Sequence, residues 1–106
     1  MKISKIDQQS ICIYNKTMII TFDPAKERQN LRKHHMSLTE ASNLEWDLLL
    51  AMQDARKDYG ELRMIGYAPI GARIFCVVYV EKSDGFRIIS LRKANDREVK
   101  RYASKI

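Results

Sequence analysis

A chain of 106 residues has room for one core, and at this size folding buries roughly 60–70% of the extended chain's surface without cross-links. Its 45% hydrophobic and 30% charged residues, with four Gly and two Pro, exclude collagen-like, low-complexity and wholly disordered classes. The net charge of +6 is modest, but its placement along the chain is uneven.

Cys12 and Cys76 have no Cys or His beside them at metal-ligand spacing, so neither a disulfide framework nor a zinc module is indicated. Cys76, inside an apolar run, reads as a small buried hydrophobe in a reducing, cytoplasmic compartment. That run, Ile74 to Val80, is far shorter than the roughly 20 residues needed to cross a bilayer. The opening Met-Lys-Ile-Ser-Lys-Ile-Asp lacks the apolar core of a signal peptide, so neither a membrane span nor secretion is expected.

In chain order, residues 1–17 form a polar N-terminal extension in which Ile11 and Ile13 mark a short edge strand, ahead of a single domain over 18–106. Met18 to Phe22 is rich in β-branched residues and predicts a strand. Asp23-Pro24 then starts a helix, since Asp23 can accept from the free N–H groups and Pro24 loses nothing at the first helical position. The helix runs to about Met36 with only Ala25 and Leu31 clearly apolar, while Lys26, Asn30 and Lys33 or His34 recur on one face at i, i+4 and i+7 or i+8. Ser37-x-x-Glu40 reads as a capping box opening a second helix that buries Leu38, Ala41 and Leu44 and ends at a core Trp46.

A short strand over Leu48–Met52, a charged loop over Asp54–Gly60 and a strand over Leu62–Tyr67 follow. Pro69-Ile-Gly71 reads as a turn, and Arg73–Glu81 as a central strand because both of its faces are apolar. Lys82-Ser-Asp-Gly85 makes a four-residue hairpin loop into a strand over Phe86–Leu91. Asn95-x-x-Glu98 is a second capping box, and it opens a C-terminal helix. The order β-α-α-β-β-β-β-α predicts an α+β domain with a mainly antiparallel sheet packed against helices.

Residues 87–106 carry Arg87, Arg92, Lys93, Arg97, Lys100, Arg101 and Lys105 against only Asp96 and Glu98, which is nearly all of the excess positive charge. Such a segment is either a solvated helix face or a surface for phosphate backbones or an acidic partner.

Three blocks match a known pattern in order and spacing. They are Phe22-Asp-Pro-Ala-Lys26-x-x-x-Asn30-x-x-Lys33-His34 with Ser37-Leu-x-Glu40-Ala41; Asp54-x-x-x-x-x-Gly60-Glu61-x-Arg63-x-Ile65-Gly66; and Arg87-Ile-Ile-Ser90-x-Arg92-Lys93-Ala94 with Glu98 and Arg101-Tyr102. Together, over about residues 18–102, they resemble the BrnT-type toxins. The resemblance implies a RelE-like fold and an RNA-cleaving toxin that inhibits translation, possessing no cofactor and neutralised by a BrnA-like ribbon-helix-helix antitoxin. DNA would be reached only through the antitoxin complex. The chain departs from the pattern at Phe22, where the family usually has Trp, at His35, usually Gly, and at Lys57, where a loop His is common.

Cleavage of RNA by its own 2′-hydroxyl needs a base, positive groups around the phosphorane and an acid for the leaving 5′-oxygen. On this resemblance the catalytic set is Lys33, His34, Arg63, Arg87 and Arg92, with Lys93, Arg97, Arg101 and Tyr102 gripping RNA. Lys26, Asn30, Glu61 and Ser90 support the site. Each has a plainer role: Glu61 and Arg63 as a same-strand ion pair, Arg87 in phase with Ile89 and Leu91 covering the sheet with its stem, His34 compensating the helix dipole, and Tyr102 packing on the sheet. Adjacent His34 and His35 cannot form the usual i, i+4 metal pair, so no metal is expected. The alternative function is a non-catalytic basic module that binds RNA or a partner protein.

Overall fold

The computed structural model describes residues 11–14 and 18–105; the other positions of the N-terminal extension lie outside the described residues. Six strands, β1 (Ile11–Tyr14), β2 (Met18–Phe22), β3 (Leu50–Gln53), β4 (Met64–Ile70), β5 (Arg73–Lys82) and β6 (Gly85–Lys93), join in one sheet ordered β1-β2-β6-β5-β4-β3. Helix α1 (Pro24–His34) follows β2, and helix α2 (Asp96–Lys105) closes the chain. The class is α+β, but the sheet is mixed: β2 runs parallel to β6, while the other four pairings are antiparallel. The parallel pair arises because β2 enters beside the last strand, and a sequence of short turns describes only the β3 to β6 meander.

The inside of β5 is apolar on both faces because both are covered. Phe75, Val77 and Tyr79 face a core with Ile20, Phe22, Ile88 and Leu91, closed by Leu38, Ala41, Leu44 and Trp46 from the α1–β3 connection. Trp46 stacks on Phe86 at 4.3 Å and meets Tyr79 edge-on, and its indole N–H donates to the Ala41 carbonyl at 2.9 Å. Cys76, Val78 and Val80 line the opposite face with Ile65, Tyr67, Ile89 and Tyr102.

That connection is two 3-10 turns, Leu38–Asn43 and Trp46–Leu48, where the sequence predicts a second α-helix. Leu38, Ala41 and Leu44, all but fully buried, recur every three residues, and a helix of three residues per turn eclipses such a series on one face. Ser37 caps the first turn as expected, accepting from the Thr39 N–H at 3.1 Å, but the Glu40 arm of the predicted capping box is replaced. Glu27 of α1 accepts from the Ser37 hydroxyl and the Leu38 N–H, each at 2.7 Å, whereas the Glu40 carboxylate accepts from the Asn43 amide. Asn95 and Glu98 do form their box, each side chain accepting from the other's N–H at 2.9 Å.

Several boundaries move. β3 starts at Leu50 and β4 at Met64, leaving Glu61 and Arg63 in the preceding loop; the turn after β4 is at Gly71, and the β5–β6 hairpin turns at Ser83-Asp84. Pro69 stays in β4 because β3 pairs no further than Tyr67, so no neighbour asks for its missing N–H. Gly85 is required where β6 starts: a Cβ there would run into the Ile19 backbone of β2.

Two features fix the functional face. In β6 the register passes from Val78↔Ser90 to Tyr79↔Ile88, so Ile89 is an extra residue, a β-bulge. Without it, Arg87 and Arg92, five positions apart, would lie on opposite faces. With it, Arg87 pairs with Val80 and Arg92 with Cys76 on one face, and Leu91 falls on the other, out of phase with Arg87. Beyond Ile88 the edge of β6 has no β2 partner, and Asn30 takes that place. Its Oδ1 accepts from the Leu91 N–H at 3.0 Å, and its Nδ2 donates to the Leu91 and Met36 carbonyls at 2.8 and 2.9 Å.

Asn30→Ala should cost about 2–4 kcal/mol in chemical denaturation, because it strands the buried backbone N–H and C=O of Leu91. The C-cap of α1, His35, sits at φ 57°, ψ 36°, a left-handed conformation that favours glycine. His35→Gly should therefore gain about 1 kcal/mol, seen as a melting-point rise of several degrees.

Candidate active site

Asn30 sets the rotation of α1, and with that fixed Lys26, Gln29, Lys33 and His34 overhang the sheet face carrying Ser90 and Arg92. Arg56 reaches in from the β3–β4 loop, and Ile65, Cys76, Val78 and Ile89 form the floor of a cleft of about 240 Å³. Lys26, Lys33, His34, Arg56 and Arg92 line it, and no carboxylate does. Lys33, His34 and Arg92 also line a broader adjoining depression with Lys93, Phe75, Met36 and His35. A concave surface of one charge sign concentrates the opposite charge, here an anion.

His34, in the last turn of α1, would by the helix dipole favour its protonated form. Burial, and then the charges of Arg92, Lys33 and His35, instead lower its pKa below the usual 6.5. The imidazole is neutral at pH 7 and can take a proton.

Arg92 is held by two parallel bonds to Glu98, both 2.9 Å. Glu98 also accepts from Tyr67 Oη at 3.1 Å and the Asn95 N–H at 2.9 Å, and the Arg92 contact foremost pulls its carboxyl down to about 2. Arg56 is anchored the same way: its Nε and Nη2 each lie 2.7 Å from Asp54, whose side chain is 1% exposed. That pairing lowers Asp54 to about 2, although burial works against it. A carboxylate that fixes a guanidinium in two bonds determines its plane as well as its position.

Arg87 and Arg63 lie outside the cleft lining, sharing Glu61 in a second cluster. Arg87 Nη2 is 2.8 Å from both Glu61 oxygens, Arg63 Nε is 3.1 Å from one, and Arg63 packs 4.2 Å over the Tyr59 ring. The Glu61–Arg63 pair forms as expected, but from a loop. Of the α2 residues, Arg97 is exposed, and Arg101 and Tyr102 line a separate groove against β3. Tyr102 is 5% exposed and donates its hydroxyl to the Leu48 carbonyl at 2.7 Å, the packing role.

The cleft thus gathers Lys26, Asn30, Lys33, His34, Ser90 and Arg92, with Lys93 next door. Sequence reasoning missed Gln29 and Arg56. An Asp and Arg two apart in a charged loop carry no signal of a buried pair, and Gln29 is visible only as one turn before Lys33 on the same helix. Among the described residues no three His, Cys, Asp or Glu side chains gather as metal ligands, and no helix is long and apolar enough to cross a membrane.

A family model described as the ribonuclease toxin, BrnT, of a type II toxin–antitoxin system matches residues 22–98, which include every residue lining the cleft. No curated protein matches the chain.

Glu98 and Asp54 have carboxyl groups depressed in the folded state, so their contribution to stability is complete above the unfolded range near pH 4 and is lost as pH falls toward 2. Acid unfolding followed by circular dichroism should start below about pH 4, and Glu98→Gln should flatten the slope while lowering stability at pH 7.

Proposed function

Because the chain belongs to the BrnT family of ribonuclease toxins of type II toxin–antitoxin systems, we propose that it cuts RNA in the cleft between α1 and β6. The observation that carries this reading is the lining itself: five basic side chains, one of them an imidazole whose pKa is lowered by burial and then by neighbouring cations, and no carboxylate.

A phosphodiester enters with its charge facing Arg92, Arg56, Lys26 and Lys33. His34 removes the proton of the ribose 2′-hydroxyl, which attacks the adjacent phosphorus; the bond to the 5′-oxygen breaks, leaving a 2′,3′-cyclic phosphate. The cations stabilise the extra charge of the phosphorane, and because Glu98 and Asp54 already hold Arg92 and Arg56, little reorganisation is needed at that moment. The Lys33 ammonium, next to His34, supplies the proton for the leaving oxygen. No metal is required, since a cleft of this sign repels a divalent cation and does its charge neutralisation itself. Arg87 and Arg63, sharing one carboxylate, retain charge for a flanking phosphate; Lys93, Arg97 and Arg101 extend the basic surface for RNA.

In this reading the chain acts in the cytoplasm, blocks translation by cutting messenger RNA, and is silenced by a BrnA-like ribbon-helix-helix antitoxin through which alone it reaches DNA. In the same reading the fold is RelE-like, with basic side chains over a sheet doing the chemistry.

Purified protein, freed of any partner, should cut end-labelled RNA in EDTA to fragments ending in 2′,3′-cyclic phosphate. His34→Ala should slow this by roughly 10²–10³-fold. Protonation disables the base, so the rate should rise with pH through a midpoint below 6.5 and be flat by neutrality. Intact RNA with salt-sensitive binding would instead identify a binding module.

A further inference from the structure

β3 ends the sheet, and its outer edge has no partner strand among the described residues. Edge strands are usually blunted by charge, proline or a bulge. β3 is Leu-Ala-Met-Gln, without any of these, and Ala51 and Met52 are exposed. Beside this edge, Leu50, Met52 and Tyr67 from the sheet and Tyr102 from α2 form an apolar groove of about 200 Å³, rimmed by Arg101 and Lys105. The groove's one carboxylate, Glu98, is already committed to Arg92. Leu48, half exposed, continues the apolar surface at the start of the strand.

We propose that this edge and groove receive an extended segment of a partner protein that adds to the sheet as a seventh strand. Backbone bonds to β3 supply the registration, and apolar side chains at every second position enter the groove. Its carboxylates meet Arg101 and Lys105. A second copy of this chain is a poor occupant, because two-fold pairing of β3 with β3 brings both copies' Arg101 and Lys105 toward one seam, where like charges repel. The groove is separate from the cleft, with α2 between them, and the inference does not rest on RNA cleavage.

The probe is a fluorescent nine-residue peptide of alternating Val and Glu, titrated into the full chain, with backbone amide NMR shifts recorded alongside. Saturable binding with shifts at Leu50–Gln53 is expected, weakened at least tenfold by Arg101→Glu with Lys105→Glu, and abolished when alternate peptide nitrogens are methylated. Three results overturn the proposal: no binding of the Val/Glu peptide, equal binding of a Val/Lys or N-methylated peptide, or sedimentation as a dimer that Met52→Lys dissociates.

Discussion

Asn30 lies against the Leu91 backbone where β2 runs out, and the placement of every cleft residue on α1 follows from that contact. Its carboxamide uses both of its polar atoms and three hydrogen bonds to imitate the missing strand. A helix with so little apolar surface could not be located by hydrophobic packing: Asn30 is the one buried residue of α1, and Leu31 is 43% exposed. Polar docking fixes direction as well as distance, so Lys26, Lys33 and His34, each one turn from Asn30, are presented together.

The charge of the face is organised by three carboxylates that are spent on arginines. Glu98 fixes Arg92, Asp54 fixes Arg56, and Glu61 is divided between Arg87 and Arg63. Among the described residues Lys26, Lys33 and His34 have no such carboxylate partner, so the rigid cations and the movable ones have different origins. The bulge at Ile89 makes this arrangement available, since it turns Arg87 and Arg92 to a common side.

The meander, the central strand and the capping of α1 and α2 were legible because each is a local pattern: two apolar faces in β5, Asp23-Pro24, and Asn95 with Glu98. The family was legible in the order and spacing of three blocks of residues, which contain Asn30, Arg63 and Arg92. The bulge was not, because Ile-Ile-Ser reads as ordinary alternation, and this misplaced Arg87 relative to Leu91. The 3-10 turns were missed although their three-residue period was present in Leu38, Ala41 and Leu44; a period of 3.0 and one of 3.6 differ little over seven residues. Arg56 was illegible because only burial of Asp54 makes that pair more than a loop charge, and burial is a property of the whole fold. For Tyr102 the sequence offered two roles, RNA contact from a basic helix and packing on the sheet, and its buried ring and the bond from its hydroxyl to Leu48 fit the packing one.

In the proposed function RNA binds between α1 and β6. The most direct measurement is a titration of the protein with a dinucleotide carrying a 2′-O-methyl group at the scissile position, which cannot be cut, followed residue by residue by NMR. Shifts confined to Lys26, Gln29, Lys33, His34, Arg56, Ser90 and Arg92, with a change in the His34 titration midpoint, are the predicted result. Shifts confined to the exposed face of α2 around Arg97 and Lys100, with His34 unmoved, would contradict it.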